Sequence, residues 1–599
     1  MNTQFPAKSL LAVLVLTTIA AVAVAAEPAG PRAVRRSDVV FMYDNPELYD
    51  DYGCTVLGWA GRADAEHIRR AHEKGVRLFA VNVGFRTEFR GMIDFSDDFP
   101  DAACRTFAGE PFIVPWLWDH KHKDQPAWHF CTNSPLYRDF LYSRLESRMA
   151  AGPDGLHIDD YSGTSGMVTW QAACFCRHCT AGFRDYLKKN VPAARLAELG
   201  IDDLDRFDYR QYLLDRGVKP DEYKKRRASL PLADEFLDFQ VKAAHGFVAE
   251  YRRRAEELRG QPITLSVNSC PGRPISLVIA PQLSYFCCEV PHHASKRQVP
   301  SYPIYVYKLA DGLGRPVAST ASGHDWAYVA EHKLTGLVRT WSALGYVYGH
   351  NFMAPHRQWC YTKEKGTHWA NFPAEETAGP YRFVRRCARL LDGYEAVAPV
   401  AVVYDNAARR RGKAAVEPIV AALAERNLPF TVVVAGDDWL DYRLSAGQLA
   451  AFRAVVAPKD LAMDAEQRAL IDRVAAEGRL VTWPDDARLA ELVPPPIVLG
   501  EGSEQLAVVP RAIPGDAKGP VAVHLLNLRY DGETEAMVPR SDLSIGLRRD
   551  LFPRRQLTRA TLHAPRKDPR PLSIADDGDL IRVSVPQLDL WAILELGGE

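Results

Sequence analysis

The chain has 599 residues, 47% of them hydrophobic and 25% charged, with a formal net charge of −1. That length exceeds a single hydrophobic core, so several domains are expected. The balanced charge gives no electrostatic hold on nucleic acid or on an anionic membrane surface, and neither is expected as a partner.

In chain order, Lys8 precedes an apolar run from Leu10 to Ala26, which ends in small residues before Glu27-Pro28. A charged start, an apolar core and an Ala-x-Ala site form the pattern of a secretory signal peptide over 1–26. The run also approaches the length of a membrane anchor. Cleavage is the expected outcome, leaving an exported chain, periplasmic or extracellular, with no membrane attachment.

Residues 38–395 alternate short β-branched and aromatic runs with helical stretches. Eight candidate strands stand out: Val39–Tyr43, Arg77–Val83, Phe112–Asp119, Gly155–Tyr161, Ile263–Ser269, Leu283–Val290, Arg315–Ser322 and Tyr346–Pro355. Between them, Leu237, Val241, Ala244, Val248 and Tyr251 mark the apolar stripe of an amphipathic helix. This rhythm predicts a (β/α)8 TIM barrel with an insertion at about 162–232. Over 396–497 the alternation restarts with Val400–Tyr404, Phe430–Val434, Ala454–Ala457 and Arg479–Trp483, predicting a flavodoxin-like, doubly wound α/β domain. Past Pro494-Pro495-Pro496 the pattern is all-β, and 503–599 are expected to form a small C-terminal β-sandwich.

A barrel of this kind places its chemistry at the C-terminal ends of its strands. Those ends carry Trp116 and Trp118 on the expected third strand, His157, Asp159 and Asp160 on the fourth and Asn268 on the fifth. Glu289 closes the sixth and is followed by His292, while Asn351 and Trp359 follow the eighth. Cleaving a glycosidic bond takes two carboxyl groups astride it, one supplying a proton and one acting at the anomeric carbon directly or through water. Asp159 or Asp160 with Glu289 could supply that pair. Strict alternation turns His157 and Asp159 toward the barrel axis, and a bulge would bring in Asp160 too. Trp116, Trp118, His157, Asn268, His292, Asn351 and Trp359 would line the sugar site. The expected partner is therefore a carbohydrate, and the alternative is a barrel that binds carbohydrate without cleaving it.

Eleven cysteines are present. Cys174, Cys176 and Cys179 stand in C-x-C-x2-C spacing, and Cys131 lies upstream. Four thiolates make a closed structural zinc site; two disulfides are the alternative in an exported chain. The tight spacing favours zinc, because bridges between such close cysteines are strained. No organic cofactor is expected.

The order of domains and the Cys131/Cys174/Cys176/Cys179 set, followed by Phe183 and Leu187, resemble the glycoside hydrolase family 42 β-galactosidases. Leu337-Val338-Arg339-Thr340-Trp341 and Gly345 resemble the stretch before that family's last barrel strand. The resemblance implies a zinc site at the four cysteines, trimer formation through the second domain, and Asp160 as acid/base, by correspondence with an Asn-Glu pair. It also implies a nucleophilic Glu at the end of strand seven, where this chain reads Ala318-Ser319-Thr320-Ala321-Ser322. Glu289, one strand earlier, is the substitute that the chemistry suggests, as nucleophile or base.

Overall fold

The computed structural model describes residues 33–62, 64–85, 88–159 and 174–598. The expected signal peptide at 1–26, Asp160, and the opening of the insertion lie outside the described residues. Eight parallel strands pair in sequential order: β1 Val40–Phe41, β2 Val56–Ala60, β3 Leu78–Gly84, β4 Gly155–Asp159, β5 Thr264–Val267, β6 Tyr285–Val290, β7 Val317–Ala321 and β8 Asn351–Phe352. Beyond β8, Ala354 pairs in parallel with Phe41 of β1. First and last strands therefore meet, and the sheet closes into a barrel.

One expected strand is replaced. Phe112–Asp119 does not enter the barrel; it holds one isolated bridge, Ile113↔Trp128, beside a 3-10 turn at Pro115–Leu117. The missing strand is β2, whose five residues are all buried. A run buried on both faces has no alternation to betray it. Gly58 within it suits the crowded interior, since an added Cβ would stand 3.0 Å from the Cys287 sulfur.

Helices α1 Ala65–Glu73, α2 Pro135–Ala150, α3 Arg177–Asn190, α4 Ala233–Arg259, α5 Tyr302–Gly312, α6 Gly323–His332, α7 Thr335–Val347 and α8 Gly379–Arg386 include those that wrap the barrel. Val241, Ala244, Val248 and Tyr251 of α4 are buried along the stripe that their spacing predicts. Each barrel strand presents alternate residues to two different cores. Leu156 and Ile158 of β4, with Phe286 and Cys288 of β6, join the large cluster under the helices. Val56, Leu78, Tyr285, Cys287 and Met353 pack together along the axis.

After β8 an antiparallel hairpin, β9 Arg357–Thr362 and β10 Gly366–Asn371, stands over the strand ends. Next comes a four-stranded parallel sheet in the order β12-β11-β13-β14, from β11 Val400–Asp405, β12 Phe430–Ala435, β13 Ala454–Ala457 and β14 Leu480–Thr482. Residues 497–597 form two antiparallel sheets whose side chains, Val523 and Leu594 from one and Ile545 and Val583 from the other, share a core.

At the base of the barrel the Asn351 carboxamide donates to the carbonyls of Arg35 (3.0 Å) and Asp38 (2.9 Å). These bonds tie β8 to the approach to β1. An Asn351→Leu chain keeps the volume but removes both bonds, leaving the Asp38 carbonyl only the Tyr346 hydroxyl (2.9 Å), at a cost of about 1–2 kcal/mol. Chemical denaturation should show that loss, and an unchanged midpoint would mean that the closure does not depend on these bonds.

Candidate active site

The residues that converge at the C-terminal ends of the strands do so by alternation. His157 points to the axis and Asp159, two residues on, reaches the mouth of the barrel. On β6 the inward series is Tyr285, Cys287, Glu289. Asn268, just past β5, stands between the two acids. Its backbone N–H donates to the Ile158 carbonyl (3.0 Å) and its Nδ2 donates to Asp159 Oδ1 (3.1 Å). Its Oδ1 accepts the Glu289 backbone N–H at 3.3 Å. One amide thus sets the register of both carboxyl-bearing strand ends.

These groups open on a cleft of about 350 Å³. Asp159, Asn268 and Glu289 share it with Tyr43, Trp59 and Asn82 from β1, β2 and β3 and their ends. Trp116 and Leu117 come from the β3–α2 connection, and Trp359, Thr367 and Trp369 from the hairpin. Burial, then the charges of Asp159 and Glu289, push the Tyr43 phenol well above its ordinary range, while Arg357 works the other way. The phenol therefore keeps its proton next to the two acids. Beneath them, burial and then the Asp159 charge push the Cys287 thiol up, so it stays neutral and is no nucleophile.

The aromatic wall is braced. Trp359 and Trp369 face each other across the hairpin register. Trp359 Nε1 donates to Thr367 Oγ1 (3.3 Å), which in turn donates to the Trp116 carbonyl (2.8 Å). The Tyr43 and Trp369 rings meet edge to face at 4.8 Å, and the Arg357 guanidinium lies 4.6 Å over Trp369. Trp369 remains 45% exposed, so its ring is available to a ligand.

Four of the expected sugar-lining residues lie elsewhere. His157 is fully buried one layer down, against Trp59 (4.0 Å between rings) and Ser266 (2.9 Å to Oγ), and burial keeps it neutral. His292 is core: its ring packs on Trp341 and Phe352, and burial lowers its pKa to about 4. Asn351 serves the closure at the barrel base. Trp118 is 53% exposed outside the cleft, because its stretch is a loop and not a strand end. Asp325, the first carboxylate after β7, accepts the backbone N–H of His292 (2.9 Å) and of Ala294 (2.8 Å), and the Ser322 hydroxyl (2.7 Å). It anchors the loop after β6 and leaves no carboxylate at the end of strand seven.

Sequence reasoning missed Tyr43, Trp59, Asn82, Thr367 and Trp369. Tyr43 had a signal, as the last residue of the first expected strand. Trp59 had none, because its strand went unread.

Cys131, Cys174, Cys176 and Cys179 come together, all buried, with sulfurs within 4.8 Å of one another. Tetrahedral zinc at about 2.3 Å from each sulfur needs sulfurs about 3.8 Å apart, so the set fits the ion. The Asn133 backbone N–H donates to Cys131 Sγ and its side-chain Nδ2 to Cys179 Sγ, both at 3.4 Å, which suits thiolates. His178 is turned away, on Asp101 at 3.1 Å.

No family model matches the chain. Two curated relatives are α-agarases: one from Alteromonas agarilytica, 23% identical over 94% of this chain and 41% of its own length, and one from Thalassotalea agarivorans, 24% identical over 94% and 40%. The chain thus spans about two-fifths of the relatives it matches. Among solved structures, β-galactosidase from Bacillus circulans sp. alkalophilus is similar over 95% of this chain and 99% of its own, with TM-score 0.63 and 13% identity. α-L-Fucosidase isoenzyme 2 from Paenibacillus thiaminolyticus covers 94% and 100%, with TM-score 0.61 and 12% identity. These two support the barrel fold.

The rigidity of the aromatic wall has a direct check. A methyl added at Gly323 would stand 2.3 Å from the Trp359 ring. Gly323→Ala should displace that indole, costing about 1–3 kcal/mol and changing tryptophan emission. A variant with native emission and stability would mean that Trp359 is not seated on α6.

Proposed function

We propose that this chain is an exported glycoside hydrolase that cleaves glycosidic bonds in an oligo- or polysaccharide by a two-carboxylate mechanism. Agar-type galactan is the substrate class to test first, given the α-agarase relatives. The observation that carries the reading is the Asp159–Asn268–Glu289 arrangement at the mouth of a closed barrel, beside a braced tryptophan wall. Strands four and six are two apart, about 10 Å at the backbone, and both carboxyl groups line the same cleft.

The hydrogen bonding also supports a division of roles. An amide N–H donated to a carboxylate favours its ionised form, so Asp159 acts at the anomeric carbon, directly or through water. Glu289, the other carboxyl group lining the cleft, then donates the proton to the leaving oxygen. This reverses the order implied by correspondence, in which Asp160 was the acid. The Tyr43 hydroxyl, held protonated, orients the pair, and Trp359, Trp369 and Trp116 stack on the sugar rings.

The same reading extends to the remainder of the chain. Residues 1–26 direct export, the parallel sheet over 400–482 belongs to a flavodoxin-like unit, and the two antiparallel sheets form a sandwich. The four cysteines hold a structural zinc that braces the β3–α2 connection against the start of α3. Among the described residues no helix is long and apolar enough to cross a membrane.

Asp159→Asn should lower turnover by about 10²–10⁴-fold on every substrate the unmutated chain cleaves. Glu289→Gln should lose as much on the polymer but retain most activity on aryl glycosides, whose leaving group needs no proton. Equal losses on both substrate types would overturn the assignment, and binding without turnover by the unmutated chain would make it a carbohydrate binder.

The zinc reading makes its own prediction. Purified protein should carry about one zinc per chain, and Cys176→Ser should release it and lower the thermal midpoint. Metal-free protein showing two disulfides by mass would exclude it.

A further inference from the structure

The opposite end of the barrel holds a second cavity of about 390 Å³, between the starts of β7 and β8 and the domains that follow. Arg36, Asp311, Arg315, His350 and Glu395 line it, with Gly349 forming part of the wall. Arg511 reaches that wall from the C-terminal sheet: an added Cβ at Gly349 would stand 2.3 Å from its guanidinium. Only 1% of Arg511 is exposed, yet its Nε and Nη1 have no hydrogen-bond partner among the described residues, and its Nη2 donates to the Tyr394 carbonyl at 3.3 Å.

The neighbouring groups repeat the pattern. Arg36 Nη1 is buried and, among the described residues, unpartnered. His524 Nδ1 accepts the Trp591 indole N–H (3.3 Å), which places its proton on Nε2, another buried atom without a partner. Lys308 is buried beside them, its ammonium 5.2 Å over the Phe430 ring and 5.8 Å over Tyr348.

Against these cations, among the described residues, stands the half-buried carboxylate of Asp311. Asp311 faces His350 Nε2 at 3.3 Å and Arg36 at 4.0 Å. His350 Nδ1 accepts the Val317 backbone N–H at 3.1 Å, so Asp311 receives the proton-bearing nitrogen of a neutral ring. Glu395 lies at the exposed rim. Arg315 is turned to the carbonyls of Ala280 and Gly314. The imbalance also shows in titration. Burial, then the charge of Arg36, lowers the Arg511 pKa to about 9, and burial, with Arg511 and Arg36 opposing the Asp311 charge, lowers that of Lys308 to about 8. A buried region with surplus positive charge and unpaired donors is costly unless an acceptor joins it.

We propose that this cavity binds a small oxyanion, phosphate or sulfate or a carboxylate, through Arg36 and Arg511, and so ties the barrel base to the C-terminal sheet. The site lies at the far end of the barrel from the cleft and does not depend on the glycosidase reading.

Calorimetric titration of the full-length chain with sodium phosphate, sodium sulfate and sodium galacturonate, against sodium chloride at matched ionic strength, tests the proposal. One oxyanion per chain should bind. At a hundredfold excess over its Kd it should raise the thermal midpoint by about 2 °C for a chain of this size. Arg36→Gln should weaken binding at least tenfold with glycan turnover unchanged. Arg511→Met should abolish binding, and if that chain fails to fold, Arg36→Gln decides alone. Preference among the three probes distinguishes a free mineral anion from an acidic sugar. Absence of heat and of a midpoint shift with all three, or equal binding by Arg36→Gln, would overturn the proposal and leave a water-filled cavity.

Discussion

Strand β8 is held to the start of the barrel by the Asn351 carboxamide and by the bridge from Ala354 to Phe41, and that closure gives the molecule an inside. In an open sheet, alternate side chains face two broad surfaces. In a closed ring of parallel strands one of those surfaces becomes an axis only a few side chains wide. Everything chemical in the cleft follows. Tyr285, Cys287 and Glu289 stack up the axis from β6, and His157 and Asp159 from β4. The lower members of each series fill the core and the top members meet at the mouth. Asn268 then converts proximity into geometry, because one rigid amide bonds to Asp159 and to the backbone of Glu289.

The two ends of the barrel solve opposite electrostatic problems. At the C-terminal end, acids gather under tryptophans, among an amide, a protonated phenol and a neutral thiol. At the N-terminal end, Arg36, Arg511 and Lys308 outnumber Asp311. Protein interiors seldom leave either sign uncompensated. The surplus at the N-terminal end therefore points outward, to something that end is built to receive.

Much of this organisation is legible in the sequence, and the failures have physical causes. Seven of the eight expected strands overlap barrel strands, since short β-branched runs spaced by helical stretches are a strong signal. Val56–Ala60 escaped because a five-residue segment buried on both faces shows no period. Phe112–Asp119 took its place because it is apolar and aromatic, yet it lies in a connection that packs Trp116 against the hairpin. Asp159, Asn268 and Glu289 could be found because alternation and strand ends locate them. His157 and His292 look the same as they do in the sequence, polar residues near strand ends, but whether an imidazole lines a cleft or fills a core depends on one layer of depth that spacing does not encode. Trp369 and Thr367 belong to a hairpin after the last strand, where no barrel rule applies.

The wall opposite the acids bears on how such a cleft can hold a polymer. A sugar gains little from a tryptophan that must first be immobilised, because ordering a side chain costs about 0.5–1.5 kcal/mol. Here the ordering is done by the fold. Trp359 rests on a glycine at the start of α6, its indole N–H is taken by Thr367, and Thr367 is in turn bonded to the Trp116 backbone. Three separate segments are thus locked into one surface before any ligand arrives. On the proposed function, stacking energy then goes to binding and not to ordering, and the ring faces would fix the plane of a sugar relative to Asp159 and Glu289. Precise placement of the scissile bond between two carboxyl groups needs that fixed plane, because proton donation and attack at the anomeric carbon are each lost when the reacting atoms are displaced by about 1 Å.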